Sequence, residues 1–330
     1  MKAAVYNKFG PPEVVKIVEV EKPVPKSNEV LIKIRASTVT TVDSIFRNGK
    51  NLFARLAVGI TKPKNKIQGS EFSGVIEEIG DKVTKFNVGD HVFGPADDNF
   101  GCHAEYKCLN EEHTILTKPD NLSLIDCAAV PSGALTAVPF LRDGAKLTSS
   151  SKHPKRIVII GASGSVGTYA VQIAKYYGAH VTGVCSAKNI ELVKSIGADE
   201  VIDYTKDDFT NNGKSYDVVF DTIGKNPYNQ CKNSLSENGI YLTAYITWSI
   251  LFQMLFTTKI FKSRRKAMIL FTGLRKSSEK TADLKFIKEL IESNKIKPVI
   301  DKKYPLEQIT DAHKYVDTGH KKGNVIITLG

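Results

Sequence analysis

The chain has 330 residues, of which 42% are hydrophobic and 25% charged, so its composition is that of an ordinary globular protein and excludes a disordered or fibrous chain. Forty-six basic and 35 acidic residues give a net charge of +11, which favours weak attraction to anionic surfaces but identifies no partner. The first residues contain no apolar signal segment, and the five cysteines contain no C-x-x-C pair. We therefore expect a cytoplasmic protein with reduced thiols and no membrane-spanning helix.

The first third of the chain has the alternation of half-buried strands. Val30, Ile32 and Ile34 fall on one face of the segment EVLIKIRAS, while Lys33 and Arg35 fall on the other. Similar short segments follow, each bounded by Gly, Pro, Asn or Asp. This pattern predicts a compact, mostly antiparallel β domain.

From about residue 127 the pattern changes to strands that alternate with helices. RIVIIG, HVTGVCS, EVIDY, YDVVFDTIG and GIYLTAY have the form of buried strands, and segments with helical spacing lie between them. This alternation predicts an α/β fold, with a doubly wound parallel sheet over residues 127–273.

The last part of the chain contains two helix candidates, at 283–294 and 306–319, and a terminal strand at 324–329. This segment has too little apolar surface to form a domain of its own. We expect it to return to the first domain, which then comprises residues 1–126 and 274–330.

A glycine-rich turn joins the first strand of the parallel sheet to its helix. Gly161, Gly164 and Gly167 give the spacing G-x-x-G-x-x-G at a strand-to-helix junction, the context in which a dinucleotide pyrophosphate binds to backbone amides. The other interpretation is a purely structural tight turn. The predicted coenzyme contacts here are Gly161, Ser163, Gly164, Ser165, Val166 and Gly167.

The second strand of this unit ends in Ser186, Ala187 and Lys188, where an acidic residue would select against a 2′-phosphate. A hydroxyl and a cation favour NADPH, and Tyr204 after the next strand is a further donor. Tyr245, after the fifth strand, is also assigned to the coenzyme. The alternative for Lys188 is a solvated lysine at the start of a helix, but the helix dipole disfavours a cation in the first turn.

Three segments together resemble one enzyme family: VCSAKNIELVKSIGADEVIDY, AAVPSGALTAV and GNVIITLG. With the β-rich first domain and the mid-chain glycine turn, the chain resembles the medium-chain dehydrogenase/reductase superfamily over its whole length, and in particular its zinc-free quinone oxidoreductases and enone reductases. The resemblance implies a Rossmann domain for NADPH, a GroES-like catalytic domain, and a homodimer that pairs through the sheet edge at 266–274.

The zinc alcohol dehydrogenases of that superfamily bind the catalytic metal through a Cys and a His. Thr40 and Ser70 occupy the matching positions here, and neutral hydroxyls are poor zinc ligands. One other group contains metal-binding residue types but lacks a C-x-x-C knuckle: Cys102, His103, Cys108 and His113. We predict no metal site.

Without a Lewis acid, reduction of a plain ketone lacks stabilisation for the developing oxyanion, whereas a quinone or an α,β-unsaturated carbonyl spreads that charge. The predicted function is NADPH-dependent reduction of such substrates. The resemblance implies catalytic roles for Thr40, Asp43 and Thr136, and Ser132 as a coenzyme contact. For Asp43 a buried structural carboxylate or helix cap remains the alternative. The competing class of function is an NADPH-binding sensor with little turnover.

The most apolar segment is AYITWSILFQMLF, at 244–256, and three interpretations stay open for it. Trp248, Phe252 and Leu255 form an apolar wall for a hydrophobic substrate, cover a core, or contact a second subunit. The basic stretch KIFKSRRK at 259–266 adds the hypothesis of peripheral membrane contact. No aromatic-basic motif for nucleic acid is present.

Overall fold

The computed structural model describes residues 1–96, 100–149, 153–260 and 263–330. The strands, in chain order, are β1 Lys2–Val5, β2 Lys16–Glu19, β3 Glu29–Thr38, β4 Glu71–Ile79, β5 His91–Pro95, β6 Tyr106–Asn110, β7 Leu116–Thr117, β8 Arg156–Ile160, β9 His180–Cys185, β10 Glu200–Asp203, β11 Tyr216–Asp221, β12 Leu235–Thr243, β13 Lys266–Ile269, β14 Ile300–Pro305 and β15 Asn324–Thr328. The α-helices are α1 Thr41–Asn48, α2 Leu52–Val58, α3 Leu124–Cys127, α4 Pro131–Pro139, α5 Ser165–Tyr176, α6 Ile190–Ser195, α7 Tyr228–Cys231, α8 Trp248–Leu255, α9 Ser277–Glu292 and α10 Ile309–Asp317.

The chain divides into two compact units. The first comprises Met1–Ser132, Lys276–Ser293 and Pro298–Gly330, and the second comprises Gly133–Arg275 and Asn294–Lys297. The sequence predicted the two boundaries after residues 126 and 273. In the structure the first boundary lies inside helix α4, because Ser132 is the last residue of one segment and Gly133 is the first residue of the next.

The first unit is built on a seven-stranded sheet in the order β14-β15-β3-β4-β5-β7, with β6 also paired to β3. All its pairings are antiparallel except that between β14 and β15, and β1 and β2 form a separate antiparallel pair. Val30, Ile32 and Ile34 are buried in the core of this unit, as their alternation predicts. The terminal strand β15 pairs with β3, so the end of the chain does return to the first domain.

The second unit is a six-stranded sheet in the order β10-β9-β8-β11-β12-β13, and every pair in it is parallel. Relabelled by position within the unit, this is the order 3-2-1-4-5-6 of the Rossmann fold. Its strands are short apolar runs buried on both faces, and Val158, Val219 and Tyr241 lie in its core. The α/β prediction, with a Rossmann sheet and a mostly β GroES-like domain, is confirmed.

Several predicted element bounds were wrong by a few residues. Helix α9 begins at Ser277 rather than 283, where the Glu279 carboxylate accepts from Lys276 N at 3.0 Å. Strand β7 is only Leu116–Thr117, shorter than the other strands of this unit. All five cysteines are free thiols. Within the described ranges, no helix combines the length and the apolar character that crossing a bilayer requires.

Candidate functional site

The glycine turn between β8 and α5 has the geometry that phosphate binding requires. Gly161 has φ +78°, a conformation that favours glycine, and its amide donates to Val184 O at 3.0 Å. Gly164 is the N-cap of α5, and as a glycine it offers no side chain to the first-turn amides. The helix N-terminus can therefore direct its dipole and first-turn amides toward an anion.

Gly167 is required for a different reason, the close approach of α5 to the end of β8. A Cβ at this position would lie 2.1 Å from Gly161 O and 2.8 Å from Ala162 Cα. At Gly164 the only comparable contact is 3.4 Å, to Gly161 O. The two glycines are therefore constrained differently, although they belong to one motif.

We expect Gly167→Ala to destabilise the protein by about 1–3 kcal/mol, because backbone atoms cannot move aside as a flexible side chain can. Gly164→Ala, the matched control, should retain nearly the full free energy of unfolding and lose affinity for the coenzyme, since its new methyl group lies at the helix N-terminus. Chemical denaturation and coenzyme titration of both variants check this. Equal stability of the two variants would contradict the packing argument.

The carboxyl ends of β8, β9 and β10 lie side by side in the second unit, and the predicted coenzyme residues follow them. Asp203 is paired with Cys185 in the parallel register, and Tyr204 N donates to Cys185 O at 3.1 Å. Tyr204 thus follows the end of β10, beside the end of β9 that Ser186 follows. Its side chain is 57% exposed, and that of Lys188 is also exposed. This is the edge of a doubly wound sheet at which ligands bind.

The helix-dipole argument for Lys188 was wrong. Lys188 lies in a separate 3-10 turn, Ala187–Asn189, and α6 begins only at Ile190. The interpretation of Lys188 as a phosphate ligand therefore depends on its position beside Ser186 and Tyr204 rather than on the dipole of α6.

Two polar residues at this edge were missed in the sequence. Asn189 is buried and its Nδ2 donates to Ser163 Oγ at 3.0 Å and to Ser186 Oγ at 3.4 Å, so it joins the glycine turn to the end of β9. The Asp203 carboxylate accepts from Thr205 N and Thr205 Oγ1, and these backbone and hydroxyl donors lower its pKa. A buried, amide-bound carboxylate of this kind is a local turn-former.

At the other end of the same edge, Tyr245 follows β12 and lies against Gly224, whose φ is +71°. The Asp221 carboxylate at the end of β11 is buried and accepts backbone hydrogen bonds from Ile223, Gly224 and Asn226. It fixes the loop beside Tyr245. Burial raises the pKa of both Asp221 and Tyr245.

In the first unit, Thr40 and Asp43 form the N-terminal capping box of α1. The Asp43 carboxylate accepts from Thr40 N at 2.8 Å and from Thr40 Oγ1 at 2.6 Å, and Asp43 N donates to Thr40 Oγ1 at 3.2 Å. Asp43 Oδ1 also accepts from Gly69 N. The structure therefore gives Asp43 the structural role that the sequence left open as an alternative.

Glu71, which the sequence analysis did not select, has a fully buried side chain at the start of β4. Its carboxylate accepts from Thr38 Oγ1 and, at 2.6 Å, from Ser132 N at the start of α4. Burial raises the pKa of this carboxyl to about 7, and the nearby Lys321 amino group acts against that rise. Glu71 thus anchors the segment that carries Ser132.

Two buried histidines lie in the same unit with their rings 6.1 Å apart. His103 Nε2 is 2.9 Å from Thr38 O, and His313 Nδ1 is 2.8 Å from Arg47 Nη1. Because a guanidinium only donates, His313 Nδ1 is an acceptor and this imidazole is the neutral Nε2–H tautomer; because a carbonyl only accepts, His103 carries a proton on Nε2. Burial lowers the pKa of each. The Nε2 atom of His103, a residue considered above for metal binding, therefore donates to a backbone carbonyl.

Comparison with known proteins agrees with this geometry. Residues 26–138 match the family described as alcohol dehydrogenase GroES-like domain, and residues 196–327 match the family described as zinc-binding dehydrogenase. The chain is 33% identical to the chloroplast envelope quinone oxidoreductase homolog of Arabidopsis thaliana, over 99% of this chain and 98% of that protein. It belongs to the medium-chain dehydrogenase/reductase superfamily.

Other relatives support the quinone and enone reductase branch of this superfamily. The chain is 30% identical to the NADPH-dependent alkenal/one oxidoreductase of Arabidopsis thaliana, over 99% of this chain and 79% of that protein. The solved structure of the quinone oxidoreductase from Coxiella burnetii has a TM-score of 0.86 and 28% identity, and covers 100% of this chain and 99% of its own. This medium-chain reductase is therefore an oxidoreductase that uses a nicotinamide coenzyme.

The zinc named in one of the family descriptions does not fit the residues of this medium-chain reductase. The resemblance matches Thr40 and Ser70 to the zinc-ligand positions, and the Thr40 hydroxyl hydrogen is used in the bond to Asp43. In the ranges that the structure describes, no group of three or more His, Cys, Asp or Glu side chains is placed to hold a metal ion. Neutral hydroxyls do not replace thiolate and imidazole as zinc ligands.

Proposed function

We propose that the chain uses NADPH to reduce quinones, or the C=C bonds of α,β-unsaturated carbonyl compounds, without a metal ion. The observation that carries this proposal is that Thr40, which the resemblance matches to a zinc ligand, caps a helix in a chain with a dinucleotide turn. Substrates that spread negative charge over a conjugated system need less stabilisation at oxygen than a simple ketone does.

The choice of NADPH over NADH rests on the carboxyl edge of the Rossmann sheet. Ser186, Lys188 and Tyr204 supply a hydroxyl, an ammonium and a phenol there, and the Asp203 carboxylate is held by Thr205. Such donors and a nearby cation favour the binding of a 2′-phosphate. Ser163, Ser165 and the amides of the glycine turn are assigned to the pyrophosphate.

When bound, the coenzyme supplies the hydride. In the first unit we assign to Thr40 the hydrogen bond to the substrate oxygen that gains charge, and to Asp43 the positioning of Thr40. The Thr40 hydroxyl then turns away from Asp43, whose carboxylate keeps its bond from Thr40 N. In the second unit Thr136 is assigned to the nicotinamide ribose or carboxamide.

We also propose a homodimer that pairs through β13, the edge strand of the six-stranded sheet. An edge strand offers free backbone groups, and a second copy satisfies them across a two-fold axis. The cytoplasmic location stays a prediction, and relatives with similar sequences are named as chloroplastic and mitochondrial proteins.

The decisive experiment is turnover. We expect NADPH oxidation with quinones, enones and alkenals, little with saturated ketones, and no oxidation of simple alcohols with NADP⁺. Chelators should not change the rate, and metal analysis of the purified protein should find no stoichiometric zinc. Alcohol oxidation accompanied by bound zinc would overturn the proposal, and NADPH binding without turnover on any conjugated substrate would favour a sensor.

A further inference from the structure

The helix α8 exposes an apolar surface although it already has a face for the core. Ile250, Leu251 and Met254 pack on the core of the second unit. The other side of the helix and the turn that follows it also consist of large apolar side chains. We call these exposed residues the α8 patch: Trp248 (63% exposed), Phe252 (58%), Leu255 (45%), Phe256 (42%) and Ile260 (53%).

An apolar surface of this kind is unusual for a helix at the surface of a globular protein, where the outer face is normally polar. Contiguous exposed apolar patches mark sites that another molecule covers. Aromatic side chains account for three of the five residues, and Trp and Phe are favoured at membrane interfaces.

The border of the α8 patch is basic. Residues 244–275 contain six Lys or Arg residues and no Asp or Glu. Ala267 N donates to Thr257 Oγ1 at 3.1 Å and Ser263 N donates to Thr257 O at 2.8 Å, so the segment 264–266 runs directly beside the end of the patch. Arg264 pairs with Glu237, and Arg265 Nε donates to Ser236 O. Phe261 and Lys262 of the predicted basic stretch lie outside the described residues.

We propose that the α8 patch docks on the surface of a lipid bilayer that contains anionic lipid. In this arrangement α8 lies in the plane of the interface, its apolar side chains reach the acyl boundary, and Arg265 and Lys266 meet the headgroup phosphates. The net charge of +11 attracts the whole protein to the same surface. The proposal does not depend on the coenzyme or on the substrate.

Two other occupants of the patch are distinguished by its chemistry and by experiment. A second copy that pairs through β13 brings its own segment 264–266 near this border, and the dependence of Trp248 emission on protein concentration distinguishes that occupant from a bilayer. A nucleic acid would match the charge, but Leu255 and Ile260 have no ring on which a base stacks.

The chain carries its own probe, because Trp248 is the only tryptophan. We expect vesicles with about one third anionic lipid to shift its emission to shorter wavelength, and brominated acyl chains in those vesicles to quench it. Vesicles of zwitterionic lipid alone should bind about 10- to 100-fold more weakly, and salt should weaken binding to the anionic vesicles.

Two variants separate the apolar and the basic contributions, and both retain Trp248. Phe252→Ser with Leu255→Ser should abolish quenching, and Arg265→Gln with Lys266→Gln should reduce affinity for anionic vesicles about tenfold. Val24→Ser is the matched control, because Val24 is 81% exposed in the other unit, and it should bind as the unchanged protein does.

Three results would overturn the proposal, and the first two need no variant. One is Trp248 emission that anionic vesicles do not change. Another is a shift of Trp248 emission in the absence of vesicles. A shift caused by rising protein concentration would assign the patch to a second copy, and a shift caused by a quinone would assign it to the substrate. The third is equal binding of both double variants and the unchanged protein.

Discussion

Lys188→Glu should raise the KM for NADPH about 10- to 100-fold and leave the KM for NADH nearly unchanged. The exposed ammonium of Lys188 follows the end of β9, beside Ser186 and one strand from Tyr204. A hydrogen bond to a charged group contributes about 1.5–3 kcal/mol, and a carboxylate in its place adds repulsion of the 2′-phosphate. NADH has no phosphate there, so it neither gains the attraction nor suffers the repulsion.

Steady-state kinetics with both coenzymes over a range of ionic strength measure this effect. For the unchanged protein, the KM for NADPH should rise with salt more steeply than the KM for NADH, because salt screens an exposed charge pair. Lys188→Glu should remove that difference in slope.

Lys194→Glu is the matched control for this substitution. Lys194 lies on the exposed side of α6, where its Nζ is 3.7 Å from Glu191 Oε1. The substitution Lys194→Glu changes the net charge by the same amount as Lys188→Glu. It should change neither coenzyme's KM by more than about twofold. Equal losses for NADPH and NADH in Lys188→Glu would show that this lysine does not bind the phosphate.

The coenzyme side of the site could be predicted because its signals are local. Gly161, Gly164 and Gly167 lie within one turn, and Ser186 follows the next strand, so a strand-to-helix pattern suffices to place them. The wrong prediction concerned the first residue of α6. The 3-10 turn Ala187–Asn189 delays α6, and the side chain of Asn189 bonds two serines, which no periodicity records.

The buried polar contacts of the first unit, which include Glu71 with Ser132 and Arg47 with His313, could not be predicted, since they join distant parts of the chain. Glu71 and Ser132 are 61 residues apart, and Arg47 and His313 are 266 residues apart. A charged residue at the start of an apolar strand was the signal available for Glu71. The fold that buries it was needed to show that its carboxylate accepts from Thr38 and Ser132.

Glu71→Ala should lower the free energy of unfolding by about 3–5 kcal/mol, whereas Glu71→Gln should change it little. Alanine leaves Ser132 N and the Thr38 hydroxyl without their acceptor and removes the anion that faces Lys321. Glutamine can accept from Ser132 N and donate to Thr38 Oγ1, because a hydroxyl rotates to suit its partner. Denaturation midpoints of the three proteins check the order.

A comparison of the unchanged protein with Glu71→Gln tests the titration of Glu71. Its pKa in the folded state is about 7, above the usual 4.5, so the folded protein binds more protons than the unfolded chain between these values. The stability that this group contributes is complete below pH 4.5 and is lost as the pH rises through 7. Relative to Glu71→Gln, the unchanged protein should therefore lose about 3 kcal/mol over this window.

Taking the difference between these two proteins removes the buried histidines from the measurement. The pKa values of His103 and His313 are lowered, so their contribution to stability decreases as the pH falls below 6.5, opposite in sign to that of Glu71. Both proteins share that contribution, and it cancels. A difference in stability that stays constant from pH 5 to pH 7 would mean that Glu71 is ionised throughout.

Lys321 contributes to the pH at which the Glu71 window ends, after burial and the hydrogen bonds from Thr38 and Ser132. Burial lowers the pKa of its amino group to about 8, and the Glu71 carboxylate partly opposes this. The Lys321 contribution to stability increases as the pH rises from 8 to 10.5, so it falls outside the Glu71 window. Lys321→Met removes the cation that favours the ionised carboxylate, and it should move the loss of stability caused by Glu71 to higher pH. An unchanged window in Lys321→Met would show that the hydrogen bonds from Thr38 and Ser132, rather than this cation, oppose the burial of Glu71.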